Sequence, residues 1–265
     1  MMKSAITLAL AMLAITAHSI EIIAHRGYSA KAPENTVAAF AAGWEAGTDA
    51  CELDLHLTAD DKVIICHDKD TRRTTGVLKV IAKTAFDELR KLDAGSWKGE
   101  QWKGEKLPTL DESISTLPES SQRFFLEIKC GKEVVPALAR ELARWRPREK
   151  QLAFISFDHE ALAAAKKSMP WMNCYFLSGT KDKNKQPRTL AQVIAMATSA
   201  GLDGLDLGLD WPWSKAMVEQ IHDAGLKVYA YTANKPADIQ RLAAAGVDGI
   251  TTDDPVLTKQ SISTP

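Results

Sequence analysis

From residue 20 onward, short runs rich in β-branched and aromatic residues alternate with segments whose apolar positions recur at helical spacing. The strand-like runs fall at 21–24, 51–57, 123–129, 151–156, 173–177, 204–207, 226–231 and 249–252. Helix-like segments separate most of them, at 37–44, 132–145, 157–167, 190–200, 214–224 and 236–245. Such alternation builds a parallel sheet, because each return to the same sheet direction needs a crossover. Eight units in roughly 245 residues suit a closed (β/α)8 barrel of the TIM type. An open doubly wound sheet is the competing architecture, but no glycine-rich dinucleotide fingerprint follows the first run.

One stretch departs from the repeat. Between Cys51 and Asp68 the residues Glu52, Asp54 and His56 alternate with Cys51, Leu53 and Leu55, so a strand there puts the polar groups on one face. A polar turn at 58–62 leads to a second short strand, Val63 to Cys66, which ends at His67-Asp68. Folded back antiparallel, it would bring His67 roughly opposite Asp54. The pattern then loses regularity over about 69–108, which predicts an inserted subdomain covering one end of the barrel. A short helix beginning at Thr109 or Asp111 restores the repeat.

Composition narrows the partners. Lys plus Arg number 33 against 34 for Asp plus Glu, so the net charge of -1 offers no basic field for nucleic acid. Residues 1–19 combine Met1-Met2-Lys3, an apolar run from Ala5 to Ala17, and small residues around Ala17-His18-Ser19, the pattern of a secretory signal peptide. The run is shorter than the roughly 20 residues a spanning helix needs. The expectation is a periplasmic or secreted protein with no stable membrane insertion after signal removal. Cys51, Cys66, Cys130 and Cys174 have no metal-ligand spacing and are expected as buried thiols, with Cys51 and Cys66 the one pair placed to form a disulfide.

In a (β/α)8 barrel the reactive groups collect at the C-terminal ends of the strands. By that rule His25 and Arg26, then Glu52 and Asp54, then His67, then Glu127 and Lys129 share one quadrant of one face. Three carboxylates from two adjacent strands form a hard oxygen set suited to Mg²⁺ or Ca²⁺, and less to zinc. The competing assignment is structural, with Glu52 and Glu127 paired to Arg26 and Lys129. A cation beside Arg26 and Lys129 makes a receptacle for a phosphoryl group, and two imidazoles suit proton transfer on a phosphodiester.

The ordered set His25-Arg26-Gly27, Pro33-Glu34-Asn35-Thr36, Glu52-Leu53-Asp54, His67-Asp68, Arg73-Thr74-Thr75-Gly76, Leu92-Asp93-Ala94-Gly95-Ser96-Trp97, Leu107-Pro108-Thr109-Leu110 and Glu127-Ile128-Lys129 resembles glycerophosphodiester phosphodiesterases. The resemblance continues through Ile155-Ser156-Phe157, Thr232-Ala233-Asn234 and Thr252-Asp253-Asp254-Pro255. It implies a TIM barrel with an inserted subdomain, and one divalent cation on Glu52, Asp54 and Glu127. It also implies His25 and His67 as acid and base, Arg26 and Lys129 on phosphate oxygens, and Glu34 as a carboxylate at or beside the cation. The implied reaction releases an alcohol and leaves glycerol 3-phosphate. A phospholipase D-like or inositol-lipid phospholipase C-like enzyme on the same barrel, or a non-catalytic binder of glycerophosphodiesters, are the alternatives. Phe157 and Tyr231 are the expected substrate-side aromatics, Tyr231 standing where the family commonly has tryptophan. Trp211 and Trp213 are candidates for the pocket mouth or for loop packing. Trp97, Trp102 and His56 are expected mainly to pack.

Overall fold

The computed structural model describes residues 19–263. The expected signal segment therefore lies, except for Ser19, outside the described residues. Nine strands form one sheet: β1 (Glu21–Ala24), β2 (Ala50–Leu57), β3 (Val63–Ile65), β4 (Arg123–Ile128), β5 (Leu152–Ser156), β6 (Asn173–Ser178), β7 (Gly204–Gly208), β8 (Lys227–Tyr231) and β9 (Gly249–Thr252). All except β3 run parallel, and β1 pairs with both β9 and β2, which closes an eight-stranded barrel. The expected (β/α)8 architecture is therefore the one observed.

Helices α1 (Val37–Glu45), α2 (Arg72–Thr75), α3 (Phe86–Leu89), α4 (Leu110–Ser115), α5 (Val135–Leu142), α6 (His159–Ser168), α7 (Leu190–Ser199), α8 (Lys215–Asp223), α9 (Pro236–Ala245) and α10 (Pro255–Ser263) complete the fold. All but α2 and α3 belong to the outer ring. Side-chain caps set several starts: Thr36 accepts from the Ala39 amide, and Thr109 forms a reciprocal capping box with Glu112. None of the described helices is long and apolar enough to cross a membrane.

Strand alternation divides the interior into two cores. Cys51, Leu53, Leu55, Phe124, Leu126, Phe154, Phe176, Leu205 and Val228 face the helices, whereas Ile23, Phe125, Ile155, Tyr175, Leu177 and Tyr229 fill the barrel. Burial on both faces is why these strands read as nearly continuous apolar runs. The N-terminal end of the barrel is closed by Arg123, which donates to Glu21 and to the hydroxyls of Tyr175 and Tyr229. Those groups seal one end, so the opposite end carries the open cavity.

The hairpin register corrects one expectation. β3 pairs with β2 as Leu55 with Ile65, His56 with Ile64 and Leu57 with Val63, and the Cys66 amide donates to the Asp54 carbonyl at 3.0 Å. Cys66 rather than His67 therefore stands across from Asp54, one residue short of the predicted pairing. The Cys51–Cys66 disulfide is also absent, and all four thiols are free. Cys51 packs between sheet and helices, while Cys66 belongs with Ile64, Ile81, Leu89, Ala94 and Leu107 in a separate core under the irregular segment. Trp211 and Trp213 do not reach the cavity mouth. Both are buried, and their indole N–H groups donate to the carbonyls of Ser178 and Gly208 at 3.0 Å.

Candidate active site

β2 and β4 lie side by side with Asp54 level with Glu127, and their alternation turns Glu52, Asp54 and Glu127 into the barrel. One oxygen from each of the three carboxyls lies within 4.8 Å of the others. Burial, then Asp54 and Glu127, push Glu52 well above the usual carboxyl range. Burial, then Asp54, push Glu127 up to about 8. Burial also acts to raise Asp54, but Lys129, Arg26, His67 and Asn35 outweigh it and hold Asp54 low.

Their partners leave specific oxygens over. Glu52 Oε2 accepts the Arg26 amide at 2.9 Å, and Asp54 Oδ2 accepts Asn35 Nδ2 at 2.7 Å. Lys129 Nζ donates to Glu127 Oε1 at 2.9 Å and lies 3.5 Å from Asp54 Oδ1. Glu52 Oε1 and Asp54 Oδ1 remain buried with no hydrogen-bond partner among the described residues. Ion pairing thus accounts for Glu127 but not for Glu52, whose contact with Arg26 is to the backbone. Two orphaned carboxylate oxygens in an all-oxygen set fit a hard divalent cation, which would satisfy both.

The loop after β1 is bent to serve this cluster. Arg26, Gly27 and Asn35 have left-handed backbones, with φ of 56°, 76° and 58°. A side chain at Gly27 would strike the backbone of Ala39 in α1, so only glycine fits there. Asn35 reaches Asp54 with both ends of its amide, because Asp54 N–H also donates to Asn35 Oδ1 at 3.2 Å. Thr36 is the actual cap.

Both imidazoles are oriented through Nδ1. His25 Nδ1 lies 2.6 Å from Asp253 Oδ1, and His67 Nδ1 lies 2.7 Å from Asp68 Oδ1. A carboxylate on Nδ1 favours the tautomer that leaves Nε2 free as a base. Burial lowers His67 below the usual imidazole value, against the pull of Asp54 and Asp68, so the resting ring is neutral near pH 7. A phosphodiester arriving beside it would restore its affinity for a proton. His56 is buried and packs under this residue, its Nε2 lying 3.2 Å from the His67 carbonyl oxygen.

His25, Arg26, Glu52, His67, Glu127 and Lys129 line one cavity of about 180 Å³, with Phe157 and Tyr231 on its far wall. The two aromatic rings stand edge to face at 5.5 Å, and Phe157 remains half exposed at the rim. Burial, then Asp206, raise the Tyr231 hydroxyl, so it stays protonated. A larger groove of about 450 Å³ beside Phe86 and Trp145 shares none of these groups.

Glu34 bonds Arg26 Nη1 at 2.9 Å and both terminal nitrogens of Arg73. It stands beside the acid cluster and reaches it through Arg26, whose Nε lies 3.4 Å from Asp54 Oδ2. Sequence pattern alone assigns no role to Asp253, Asp68, Arg73 or Asp206; the first three stand within the family-like motifs, and only Asp68 is next to the residue it orients.

The profile of the glycerophosphoryl diester phosphodiesterase family matches residues 25–257. The chain belongs to this family. It is 31% identical over 255 residues to a glycerophosphodiester phosphodiesterase of Caldanaerobacter subterraneus subsp. tengcongensis, covering 88% of this chain and 94% of that one. A Bacillus subtilis glycerophosphodiester phosphodiesterase is 28% identical over 253 residues, covering 89% and 84%. Among solved structures, an Oleispira antarctica phosphodiesterase in complex with the product sn-glycerol-3-phosphate superposes with a TM-score of 0.82 at 31% identity, covering 92% of this chain and 97% of that one. These likenesses run across the whole barrel, so family membership does not rest on the acid cluster alone.

Proposed function

We infer that this family member hydrolyses glycerophosphodiesters to an alcohol and glycerol 3-phosphate, with His25 and His67 as the proton-transfer pair. The observation that carries this reading is the cavity in which two imidazoles, each held at Nδ1 by a carboxylate, share one small space with Arg26, Lys129 and an acid cluster holding two orphaned oxygens. A binding protein has no use for a paired acid and base.

Glu52, Asp54 and Glu127 would hold one divalent cation, Mg²⁺ or Ca²⁺, by the hardness of their oxygens. When bound, such a cation supplies Lewis acidity toward a phosphoryl oxygen. Arg26 and Lys129 orient the phosphoryl group and offset its charge, each already aimed by an acid neighbour. His25 and His67 line the same cavity; His67, protonated once the phosphodiester lies beside it, gives its proton to the departing alcohol, and His25 takes one from the nucleophile. Phe157 and Tyr231 exclude water from the carbon side of the substrate.

The composition of residues 1–19 supports export, with the working protein beginning near Ile20 in the periplasm or outside the cell. Exposed Val77, Leu78 and Val80 on the segment between β3 and α4 favour a second reading, in which the same centre cleaves a lysophospholipid. One assay tests both: purified protein with glycerophosphocholine, glycerophosphoethanolamine or lysophosphatidylcholine, in Mg²⁺, Ca²⁺ or chelator. Glycerol 3-phosphate should form from the first two and stop with chelator. Its absence under every metal condition would overturn the diesterase reading.

A further inference from the structure

The inward face of β7 carries Gly204, Asp206 and Gly208, so a single carboxyl projects between two residues without side chains. A Cβ at Gly204 would collide with the Lys227 carbonyl, and one at Gly208 with the Asp210 carboxyl. Asp206 is 1% exposed, yet it lines the reaction cavity between Leu177 and Tyr229 of the neighbouring strands. Its Oδ1 is buried with no hydrogen-bond partner, and no described residue donates to the side chain. Asp206 is also outside the close cluster of Glu52, Asp54 and Glu127. An unpartnered carboxyl in the barrel interior costs stability, and nothing in the fold or in the acid cluster uses it.

We propose that Asp206 is a specificity-determining residue whose carboxyl accepts a hydrogen bond from a free hydroxyl of the substrate's glycerol moiety. This rests on the diesterase reading and adds a residue to it. Arg26 and Lys129 fix the phosphoryl end, while Ile155, Leu177 and the ring of Tyr231 form a largely apolar wall of the same cavity along β5, β6 and β8. A three-carbon chain laid on that wall has its hydroxyls as its only polar groups, and Asp206 is the unsatisfied acceptor there. The volume of about 180 Å³ admits a small polyol phosphate and leaves a bulky head group outside. A neutral hydroxyl also suits a carboxyl that burial has stripped of water better than a hydrated cation does.

The test uses the full chain with Mg²⁺ and calorimetric titration of three probes: glycerol 3-phosphate, propyl phosphate, which lacks both hydroxyls, and 2-aminoethyl phosphate. The wild type should bind glycerol 3-phosphate about tenfold more tightly than propyl phosphate, the usual scale for one hydrogen bond. Asp206→Leu should shrink that preference to about threefold or less by weakening glycerol 3-phosphate alone. Its thermal midpoint should equal the wild type's or rise by about 2 to 4 °C, since an orphaned polar group is removed. A midpoint lower by more than about 5 °C, or a variant that does not fold, would make the carboxyl structural and overturn the assignment. So would a preference unchanged in Asp206→Leu, or a loss confined to 2-aminoethyl phosphate. If the wild type shows the hydroxyl preference but cleaves no glycerophosphocholine, the diesterase reading falls while the contact stands; cleavage without the preference gives the reverse.

Discussion

Arg73 grips Glu34 with both terminal nitrogens, Nη1 at 2.6 Å from Oε2 and Nη2 at 2.9 Å from Oε1. Glu34 in turn accepts Arg26 Nη1, and Arg73 Nε holds Asp68, the carboxylate behind His67. One guanidinium from the irregular segment thereby braces Arg26 and His67 together. Asp68 is held down at about 2, the Arg73 hydrogen bond being the largest cause.

Arg73→Ala should therefore impair the reaction more than the fold. Arg73 is 43% exposed, so its ion pairs contribute only about 1 kcal/mol or less to stability. Losing the brace should cost about tenfold or more in kcat/KM, because Arg26 and His67 lose their fixed aim together. Steady-state kinetics alongside a thermal melt would check this, and an unchanged kcat/KM would remove the bracing role.

Asp253 makes a sharper case for orientation. It holds His25 Nδ1 and is itself fixed by Asn234 Nδ2 at 2.6 Å and by Ser29 Oγ at 3.2 Å. Asp253→Asn should lower kcat by about ten- to a hundredfold, with KM changed much less. Nitrogen-15 NMR of the imidazole should show His25 losing its preference for the Nδ1–H tautomer. Retention of that tautomer would place the control of His25 elsewhere.

The acid cluster predicts a pH effect that a cation should remove. Glu127 is raised in the folded chain from 4.5 to about 8, and Glu52 moves in the same direction. A raised carboxyl binds its proton better folded than unfolded, so its stabilising contribution is full below pH 4.5 and is lost as pH climbs toward 8. The thermal midpoint of metal-free protein should fall steadily between those limits. Saturating Mg²⁺ should flatten the fall, and Glu52→Gln should weaken both the pH slope and the response to Mg²⁺. A metal-free midpoint that does not move over this range would contradict the electrostatic account.

The barrel was legible from sequence because its strands are buried on both faces and its helices on one, so two different periodicities alternate along the chain. The cluster was legible for a related reason. Glu52 and Asp54 stand two apart on β2, and the same spacing separates Glu127 from Lys129, so local alternation and the rule for barrel strand ends suffice to place them. His25 followed by the same rule, and His67 by the return of the hairpin beside β2.

What only the tertiary structure decided are the contacts that cross the barrel. Asp253 meets His25 from 228 residues away because β9 lies against β1, and Arg73 meets Glu34 because the irregular segment folds down over the loop after β1. The hairpin register slipped by one because the turn, not the alternation, sets which residues stand opposite. Asp206 could not be recognised beforehand, since an acid in a strand signals nothing until its lack of a partner is visible. Periodicity in a sequence records which face a side chain takes. Which partner it finds, or fails to find, depends on closing the sheet into a ring.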